Sequence, residues 1–186
     1  MEFDDVIFSR KSIRSFQEKE ISEKILNNMM EAAQLSPSFQ NRQCWHFIVV
    51  RDKKIINTLA LRSGLISKVN FFIKDAPVVI VACADPAKSG MMNDQNYYLV
   101  DTAIAFQQMM LTAWNSGIGS CWLAAFNEQK VREILDIPNN IRVVALSPFG
   151  YPKKKKTLYE KAVKTIAQSK KRKDIKKIVC FDKWSL

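Results

Sequence analysis

A chain of 186 residues with 47% hydrophobic and 25% charged residues has ordinary globular composition, which excludes a disordered protein. This length suffices for one substantial core and is too short for two, so we expect a single domain over residues 1–186. The formal net charge is +11, and the segment 153–177 alone carries +10 of it.

The first half of the chain predicts two helices and two strands after a short apolar, helix-like start. Ser22 is a typical N-cap residue, and apolar residues at helical spacing follow it. This helix should end near Ser36, because Pro37 disfavours the helical conformation in the residue before it. Three further elements follow: a strand over 45–50, a helix capped by Asp52 and extending to Leu61, and a strand over 78–84.

The longest predicted helix extends from Gln95 to Asn115 and is apolar on almost every face. Such a helix must be buried on every face, so we expect it to be central or shared with a second subunit. Alternating strands and helices indicate a sheet covered by helices, of α/β or α+β class. The remaining predicted elements are a strand over 120–126, a helix from Asn127 to Leu135, a strand over 141–151 and a terminal strand over 177–181.

The residues that usually carry metal binding or side-chain catalysis are scarce. The four cysteines contain no CxxC pair, and the one histidine, His46, follows Trp45 in an apolar run. We interpret His46 as a packed edge residue and expect no metal cluster, disulfide framework or Ser-His-Asp triad. An enzyme with this sequence would therefore depend on a bound cofactor for its chemistry.

No segment of the sequence is suited to secretion or to a membrane. The first residues are acidic where a signal peptide would be basic, and Asp101 interrupts the longest apolar stretch together with two glutamines. We therefore expect a cytoplasmic protein that does not span a membrane.

The basic segment 153–177 suits either a solvated face or a surface that binds polyanions. No aromatic residue lies within its dense run, 170–177, and no nucleic-acid motif accompanies it. Nucleic acid is therefore disfavoured as a partner, although a basic polyanion-binding module stays open as an alternative function.

A second basic stretch, SRKSIRSF, occupies residues 9–16. In an extended segment Arg10, Ser12 and Arg14 point the same way, and two guanidinium forks with a hydroxyl match the oxygens of a phosphate group. An exposed basic turn is the other interpretation, and this stretch alone does not decide between the two.

The order of such stretches along almost the whole chain resembles the nitroreductase family of FMN-dependent oxidoreductases, in its small single-domain form. RKSIRSF is similar to the family's Arg-Arg-Ser-x-Arg-x-Phe element, and SPSFQNRQCWHFIVV to its Pro-Ser-x-x-Asn-x-Gln-Pro-Trp-x-Phe element. The family's order continues with KDAPVVIVACAD, VDTAIAFQQMMLTAWNSGIGSCWLAAF, KVREILDIPNNIRVVALSPFGYP and RKDIKKIVCFDKW. Two positions depart from the pattern. Cys44 replaces a proline, and Lys11 replaces an arginine, which keeps the positive charge and loses the paired donors of a guanidinium group.

The resemblance implies an α+β fold, with a central, mostly antiparallel sheet flanked by helices, a long buried central helix and an intertwined homodimer with FMN at the subunit interface. It implies that the first element and a late Lys-x-Arg bind the FMN phosphate, that the Pro-Ser loop reaches the flavin of the other subunit, and that an amide and strand backbone contact the ring. The cofactor-binding residues so implied are Arg10, Lys11, Ser12, Arg14, Pro37, Ser38, Phe39, Asn41, Asn70, Leu123, Ala124, Lys170 and Arg172. A helix C-cap is the alternative role for Asn70, and strand core is the alternative for Leu123 and Ala124.

The resemblance also implies a reaction that needs no catalytic side chain. NADH or NADPH passes a hydride to flavin N5 and leaves, and a nitroaromatic, quinone or similar small-molecule acceptor then takes the electrons, in a ping-pong sequence. A flavin-binding or flavin-fragmenting relative without NAD(P)H turnover is the alternative. The run Lys153–Lys156 is interpreted as a solvated loop or as part of the approach of an anionic reductant.

Overall fold

A four-stranded antiparallel sheet with helices on both faces forms the centre of the first of two units. The computed structural model describes residues 1–64, 70–154 and 172–185, and it divides into the units Met1–Lys154 and Lys155–Leu186. The helices of the first unit are α1 (Phe3–Ser9), α2 (Glu23–Gln34), α3 (Lys53–Arg62), α4 (Tyr97–Asn115) and α5 (Glu128–Leu135). Its strands are β1 (Trp45–Val50), β2 (Val78–Ala84), β3 (Met91–Met92), β4 (Gln95–Asn96), β5 (Gly119–Ser120) and β6 (Arg142–Gly150).

The sheet has the strand order β1-β2-β6-β5, and every neighbouring pair is antiparallel. Val81 of β2 lies opposite Ile48 of β1 on one side and Leu146 of β6 on the other. Strands β3 and β4 form a separate hairpin directly before α4. The predicted antiparallel sheet and the α+β class are confirmed.

Strand β2 is buried along its whole length because helices cover both faces of the sheet. Successive side chains of a strand point to opposite faces. Ile80 packs in one core cluster with Met29 of α2 and Phe106 of α4, whereas Val81 packs in the other cluster with Ile56 of α3 and with α5. This double coverage explains why the strand reads as a continuous apolar run rather than as an alternating one.

The predicted helix starts are confirmed by capping hydrogen bonds. Asp52 Oδ1 accepts from the backbone N–H of Lys54 at 2.7 Å and of Ile55 at 3.1 Å, at the start of α3. Asn127 Oδ1 accepts from the N–H of Lys130 at 3.0 Å, at the start of α5. Ser22 precedes α2 as expected, although its side chain makes no capping hydrogen bond.

The expectation that α4 is buried on every face does not hold within one chain. Leu99, Val100 and Ile104 are 45%, 42% and 40% exposed, while the faces toward the sheet and α2 are buried. These apolar side chains lie on a face that the single chain leaves uncovered. The helix also begins at Tyr97 rather than at Gln95, because Gln95 and Asn96 form β4.

The predicted strand over 120–126 is wrong for most of its length. Gly119 and Ser120 pair with β6, the ladder stops, and Leu123 then forms an isolated bridge with Leu146 in the same register. In this register Pro148 lies opposite Cys121, the first residue after the ladder stops. Proline has no N–H to donate to a ladder hydrogen bond. The Cys121 N–H instead donates to the Ser147 hydroxyl at 3.1 Å.

The predicted terminal strand over 177–181 is also wrong. The described residues of the second unit form a 3₁₀ turn at Ile175–Lys177 and no strand. Asp174 holds this turn, because its side chain accepts from the Lys176 N–H at 3.0 Å and its carbonyl from the Lys177 N–H at 2.9 Å. Such local hydrogen bonds offer the backbone an alternative to a strand.

The interpretation of His46 is half right. His46 lies on β1, which is an edge strand of the sheet, but its side chain is exposed rather than packed. The only histidine of the sequence is thus a surface residue of the edge strand.

The segment after α1 lies along the other edge of the sheet. The Ile13 N–H donates to the Ser120 carbonyl at 2.9 Å, and the Gln17 N–H donates to the Tyr151 carbonyl at 2.8 Å. Gly119 permits this approach, since a Cβ there would lie 2.5 Å from Cγ1 and 2.8 Å from Cβ of the buried Ile13.

We therefore expect Gly119→Ala to lower the free energy of unfolding by about 1–3 kcal/mol, because the added methyl overpacks a site with no room for it. Denaturant titration measures this loss. The double variant Gly119→Ala/Ile13→Ala should be more stable than the sum of the two single losses predicts, since Ile13→Ala removes two of the three close atoms. An unchanged denaturation midpoint for Gly119→Ala would show that the segment is free to move away.

Candidate functional site

Three polar side chains converge where the chain leaves α1 and joins the sheet edge. Arg10 has extended backbone angles (φ −56°, ψ 133°), so the chain straightens directly after the helix. In the extended stretch that follows, Ile13 is buried and Lys11 is exposed, whereas Arg10, Ser12 and Arg14 are half-buried. The alternation predicted from the sequence is therefore present.

The Cys121 thiol is a buried neighbour that these three side chains share. Burial raises the pKa of this thiol, and the positive charge of Arg14, a hydrogen bond with the Ser12 side chain and the positive charge of Arg10 all act to lower it. All three residues therefore lie close enough to Cys121 to influence it. Arg10, Ser12 and Arg14 thus lie near one buried thiol, and their predicted role as a phosphate site stays a prediction.

Neither of the two guanidinium groups at this point forms an ion pair with a described acidic residue. Within residues 1–64, 70–154 and 172–185, the ion pairs involve Arg51, Lys88, Lys130 and Arg142, and neither Arg10 nor Arg14 takes part in one. Lys11 points elsewhere, with its amine 5.8 Å from the centroid of the Trp114 ring. Two half-buried guanidinium forks and a hydroxyl form a donor set that fits a phosphate dianion.

Asn70 joins two segments that lie beside this cluster. It is buried at the N-terminal end of the 3₁₀ turn Phe71–Asp75, and its amide nitrogen donates to the Ala125 carbonyl at 3.0 Å. Phe72 of this turn packs in one apolar cluster with Ile13 and Cys121. Asn70 thus starts a turn, and its alternative role as a helix C-cap concerns residues 65–69, which lie outside the described residues.

Leu123 and Ala124 differ in what their backbone can offer. The Leu123 N–H donates to the Leu146 carbonyl at 2.8 Å, and the Leu123 carbonyl accepts from the Leu146 N–H at 3.1 Å. Ala124 is exposed and follows this bridge directly. The bridge therefore uses both backbone groups of Leu123, while the Ala124 carbonyl accepts from the Phe126 N–H at 3.1 Å.

The loop after α2 has an unusual backbone. Gln40, Asn41 and Gln43 have φ values of 51°, 55° and 47°, a region that residues other than glycine seldom adopt. Ser38 Oγ accepts from the Gln43 N–H at 3.0 Å across the turn. Pro37 and Asn41 are exposed, and Ser38 is half-buried.

The Phe39 side chain anchors this loop within its own chain. Its ring centroid lies 4.5 Å from that of Tyr97, and the Arg42 guanidinium lies 5.6 Å from the same ring. Gly90 leaves room for the ring, because a Cβ at Gly90 would lie 2.3 Å from a carbon of Phe39. Of the four loop residues predicted to bind the cofactor, Pro37 and Asn41 are therefore exposed, whereas Ser38 and Phe39 are half-buried.

The predicted contribution of the basic segment stays a prediction. Lys170 lies outside the described residues, as do Lys155 and Lys156. Arg172 is an exposed residue of the second unit, and Lys153 and Lys154 are exposed residues of the first.

Sequence reasoning missed one buried acid. Asp101 is 2% exposed on α4, where the sequence showed it only as an interruption of an apolar stretch. A carboxylate within a helix that is otherwise apolar is itself a signal, because such a group is seldom buried without partners.

The described ranges contain neither a metal-binding group of side chains nor a membrane-spanning helix. They contain no group of three or more His, Cys, Asp or Glu side chains suited to a metal ion. In the same ranges every helix is too short or too polar to traverse a bilayer.

Known proteins share both the sequence pattern and the fold. The profile of the Nitroreductase family matches residues 7–64 and 67–151. A protein of Archaeoglobus fulgidus named "Putative NADH dehydrogenase/NAD(P)H nitroreductase" is 36% identical over 161 residues, which cover 83% of this chain and 88% of the relative. The crystal structure of a nitroreductase family protein from Clostridium novyi is 41% identical, with a TM-score of 0.78, and the match covers 83% of this chain and 87% of the other. An FMN-dependent nitroreductase from Clostridium difficile is 28% identical, with a TM-score of 0.76 and coverage of 97% and 99%. The chain therefore belongs to the nitroreductase family.

Proposed function

We propose that this protein is an FMN-dependent oxidoreductase that takes reducing equivalents from NADH or NADPH and passes them to a small-molecule acceptor such as a nitroaromatic or a quinone. The observation that carries the proposal is the convergence of Arg10, Ser12 and Arg14 beside Cys121, at an edge of the sheet. The family membership and the relatives' names support the same conclusion.

The phosphate of FMN is the group that this cluster would hold. Arg10 and Arg14 supply charged, bidentate donors, and Ser12 adds a short hydroxyl donor between them in the sequence. Neither guanidinium has to break an ion pair with a described residue to do so. Lys11 adds positive charge from the outer side of the segment.

The ring end of FMN would lie toward Asn70 and Ala124. Asn70 Nδ2 is already bonded to Ala125, so its amide fixes the segment that carries Ala124. In this proposal the Ala124 N–H donates toward the flavin, whereas Leu123 is held by Leu146 and supports it. When bound, FMN supplies the hydride-accepting chemistry, and the chain binds and orients it.

Cys121 has a structural rather than a catalytic part in this arrangement. Burial raises the pKa of its thiol, so the thiol stays protonated near neutral pH and is a poor nucleophile. Its N–H donates to the Ser147 hydroxyl at 3.1 Å and so fixes the backbone next to the phosphate cluster. The absence of a catalytic side chain thus remains part of the proposal.

A second copy of the chain would cover the exposed face of α4. A groove of about 880 Å³ between α1 and α4 is lined mostly by apolar side chains, among them Phe3, Ile104 and Leu111. Phe3 is largely exposed, as is Phe8 of the same helix. Contiguous apolar surface of this kind marks an interaction site, and a homodimer is the assembly that we propose.

The proposed function predicts a reducible flavin. The purified protein, supplied with FMN and then desalted, should show a visible flavin absorption band, and anaerobic NADH or NADPH should bleach it. A colourless protein would contradict the proposal and favour a polyanion-binding module. A band that stays oxidised would contradict reductase turnover and favour a flavin-binding relative.

The phosphate site predicts unequal effects of alanine substitutions. Arg14→Ala should raise the Kd for FMN by roughly 10–100-fold and Ser12→Ala by about 3–10-fold, because each removes a hydrogen bond to a charged group. Quenching of flavin fluorescence measures both constants. Lys154→Ala is the control, since it removes an exposed charge outside the cluster. Equal retention of FMN by all three variants would show that the phosphate lies elsewhere.

The dimer predicts a sensitive position on α4. Ile104→Lys places a charge in the groove and should convert the dimer to monomer in sedimentation velocity, because an unpaired charge is costly to bury. Leu61→Lys on α3 is the matched control, since Leu61 is more exposed and does not line the groove. Dissociation by both variants, or by neither, would contradict an interface at this face.

A further inference from the structure

Asp101 is a buried carboxylate whose two oxygens contact the two ends of one loop. Oδ1 accepts from the Phe39 N–H at 3.0 Å, and Oδ2 lies 3.9 Å from Cys44 Sγ, within hydrogen-bonding range for a thiol. Among the described residues it forms no ion pair. A buried carboxylate is costly unless its oxygens are hydrogen-bonded, so these two contacts account for its presence in an apolar helix.

The loop between these contacts needs such a restraint. Its left-handed residues Gln40, Asn41 and Gln43 are in a conformation that persists only where the surroundings determine it. Further contacts act in the same direction: the Ser36 hydroxyl donates to Gln108 Oε1 of α4 at 3.1 Å, and Arg42 donates to the Ser89 carbonyl at 2.6 Å. Asp101 differs from these contacts because it holds both ends of the loop at once.

Cys44 makes the thiol contact of this restraint possible, because it replaces a residue that has no side-chain donor. At this position the nitroreductase pattern has proline, which restricts the backbone by itself, whereas cysteine does not. Burial raises the pKa of the Cys44 thiol, and the negative charge of Asp101 raises it too, against a hydrogen bond with Ser89. The thiol therefore stays protonated and remains a donor to the carboxylate.

We propose that Asp101 is a positioning residue that holds the left-handed stretch of the loop 36–44 from both sides, through the Phe39 N–H before it and the Cys44 thiol after it, in the conformation with which the loop meets the flavin. This inference rests on the proposed function for its consequence, since Ser38 and Asn41 are the loop residues placed to reach FMN. The restraint itself is a property of the chain without the cofactor.

Three variants separate positioning from mere structural support. Asp101→Ala removes both acceptors, Asp101→Asn keeps an oxygen for the Phe39 N–H, and Cys44→Ala removes only the thiol contact. Thr102→Val is the matched control, because Thr102 is the next residue on α4, is fully buried, and its hydroxyl has no hydrogen-bond partner among the described residues. The two measurements are amide hydrogen exchange of the loop without cofactor and the Kd for FMN.

We expect Asp101→Ala to accelerate exchange of the Phe39 and Gln43 amides by about tenfold or more and to raise the Kd for FMN by a similar factor. Asp101→Asn and Cys44→Ala should fall between Asp101→Ala and the wild type in both measurements. Thr102→Val should stay within about twofold of the wild type.

The inference is overturned if folded Asp101→Ala exchanges these amides at the wild-type rate. If Asp101→Ala does not fold, wild-type exchange rates in Asp101→Asn and Cys44→Ala overturn it instead. It is equally overturned if Thr102→Val matches the Asp101 variants, since any buried change on α4 would then have the same effect. Failure of the wild-type protein to bind FMN would refute the proposed function instead, and the exchange measurement would still test the restraint.

Discussion

One backbone contact, from the Ile13 N–H to the Ser120 carbonyl, determines where the N-terminal segment lies, and the candidate site depends on it. The contact requires Gly119, because any side chain there would collide with Ile13. It joins residues more than a hundred positions apart in the chain. Once residues 12–17 lie on this edge, the alternation of an extended chain buries Ile13 and turns Ser12 and Arg14 toward Cys121.

A single proline shapes the other side of the site. Pro148 cannot donate a ladder hydrogen bond, so β5 stops after Ser120 and the chain is free of the sheet until Leu123. This irregularity leaves Cys121 near the arginines, and Ala124 is exposed directly after the bridge at Leu123. The useful geometry therefore comes from an interrupted strand.

Much of the fold could be predicted from local patterns, because caps and apolar runs act over a few residues. Asp52 and Asn127 begin their helices as expected, and β1 and β2 have the predicted bounds. The interruption at Pro148 and the exposed face of α4 depend on distant pairing or on uncovered surface, so local patterns missed them. The turn held by Asp174 is local, but the apolar run that follows it predicted a strand instead. For the site, the alternation of Arg10, Ser12 and Arg14 could be predicted from the sequence. The role of Asp101 could not, because its partners Phe39 and Cys44 are about sixty residues away in the chain.

The central claim is that Arg10, Ser12 and Arg14 bind the phosphate of FMN, and riboflavin tests it most directly because it lacks only that phosphate. The decisive measurement is the ratio of the Kd for riboflavin to the Kd for FMN, in the wild type and in Arg14→Ala. The account predicts that the wild type prefers FMN by about 100-fold or more and that Arg14→Ala loses roughly tenfold or more of this preference while its Kd for riboflavin stays nearly constant. A wild-type protein that binds both flavins equally well, or an Arg14→Ala variant with an unchanged ratio, would contradict the account.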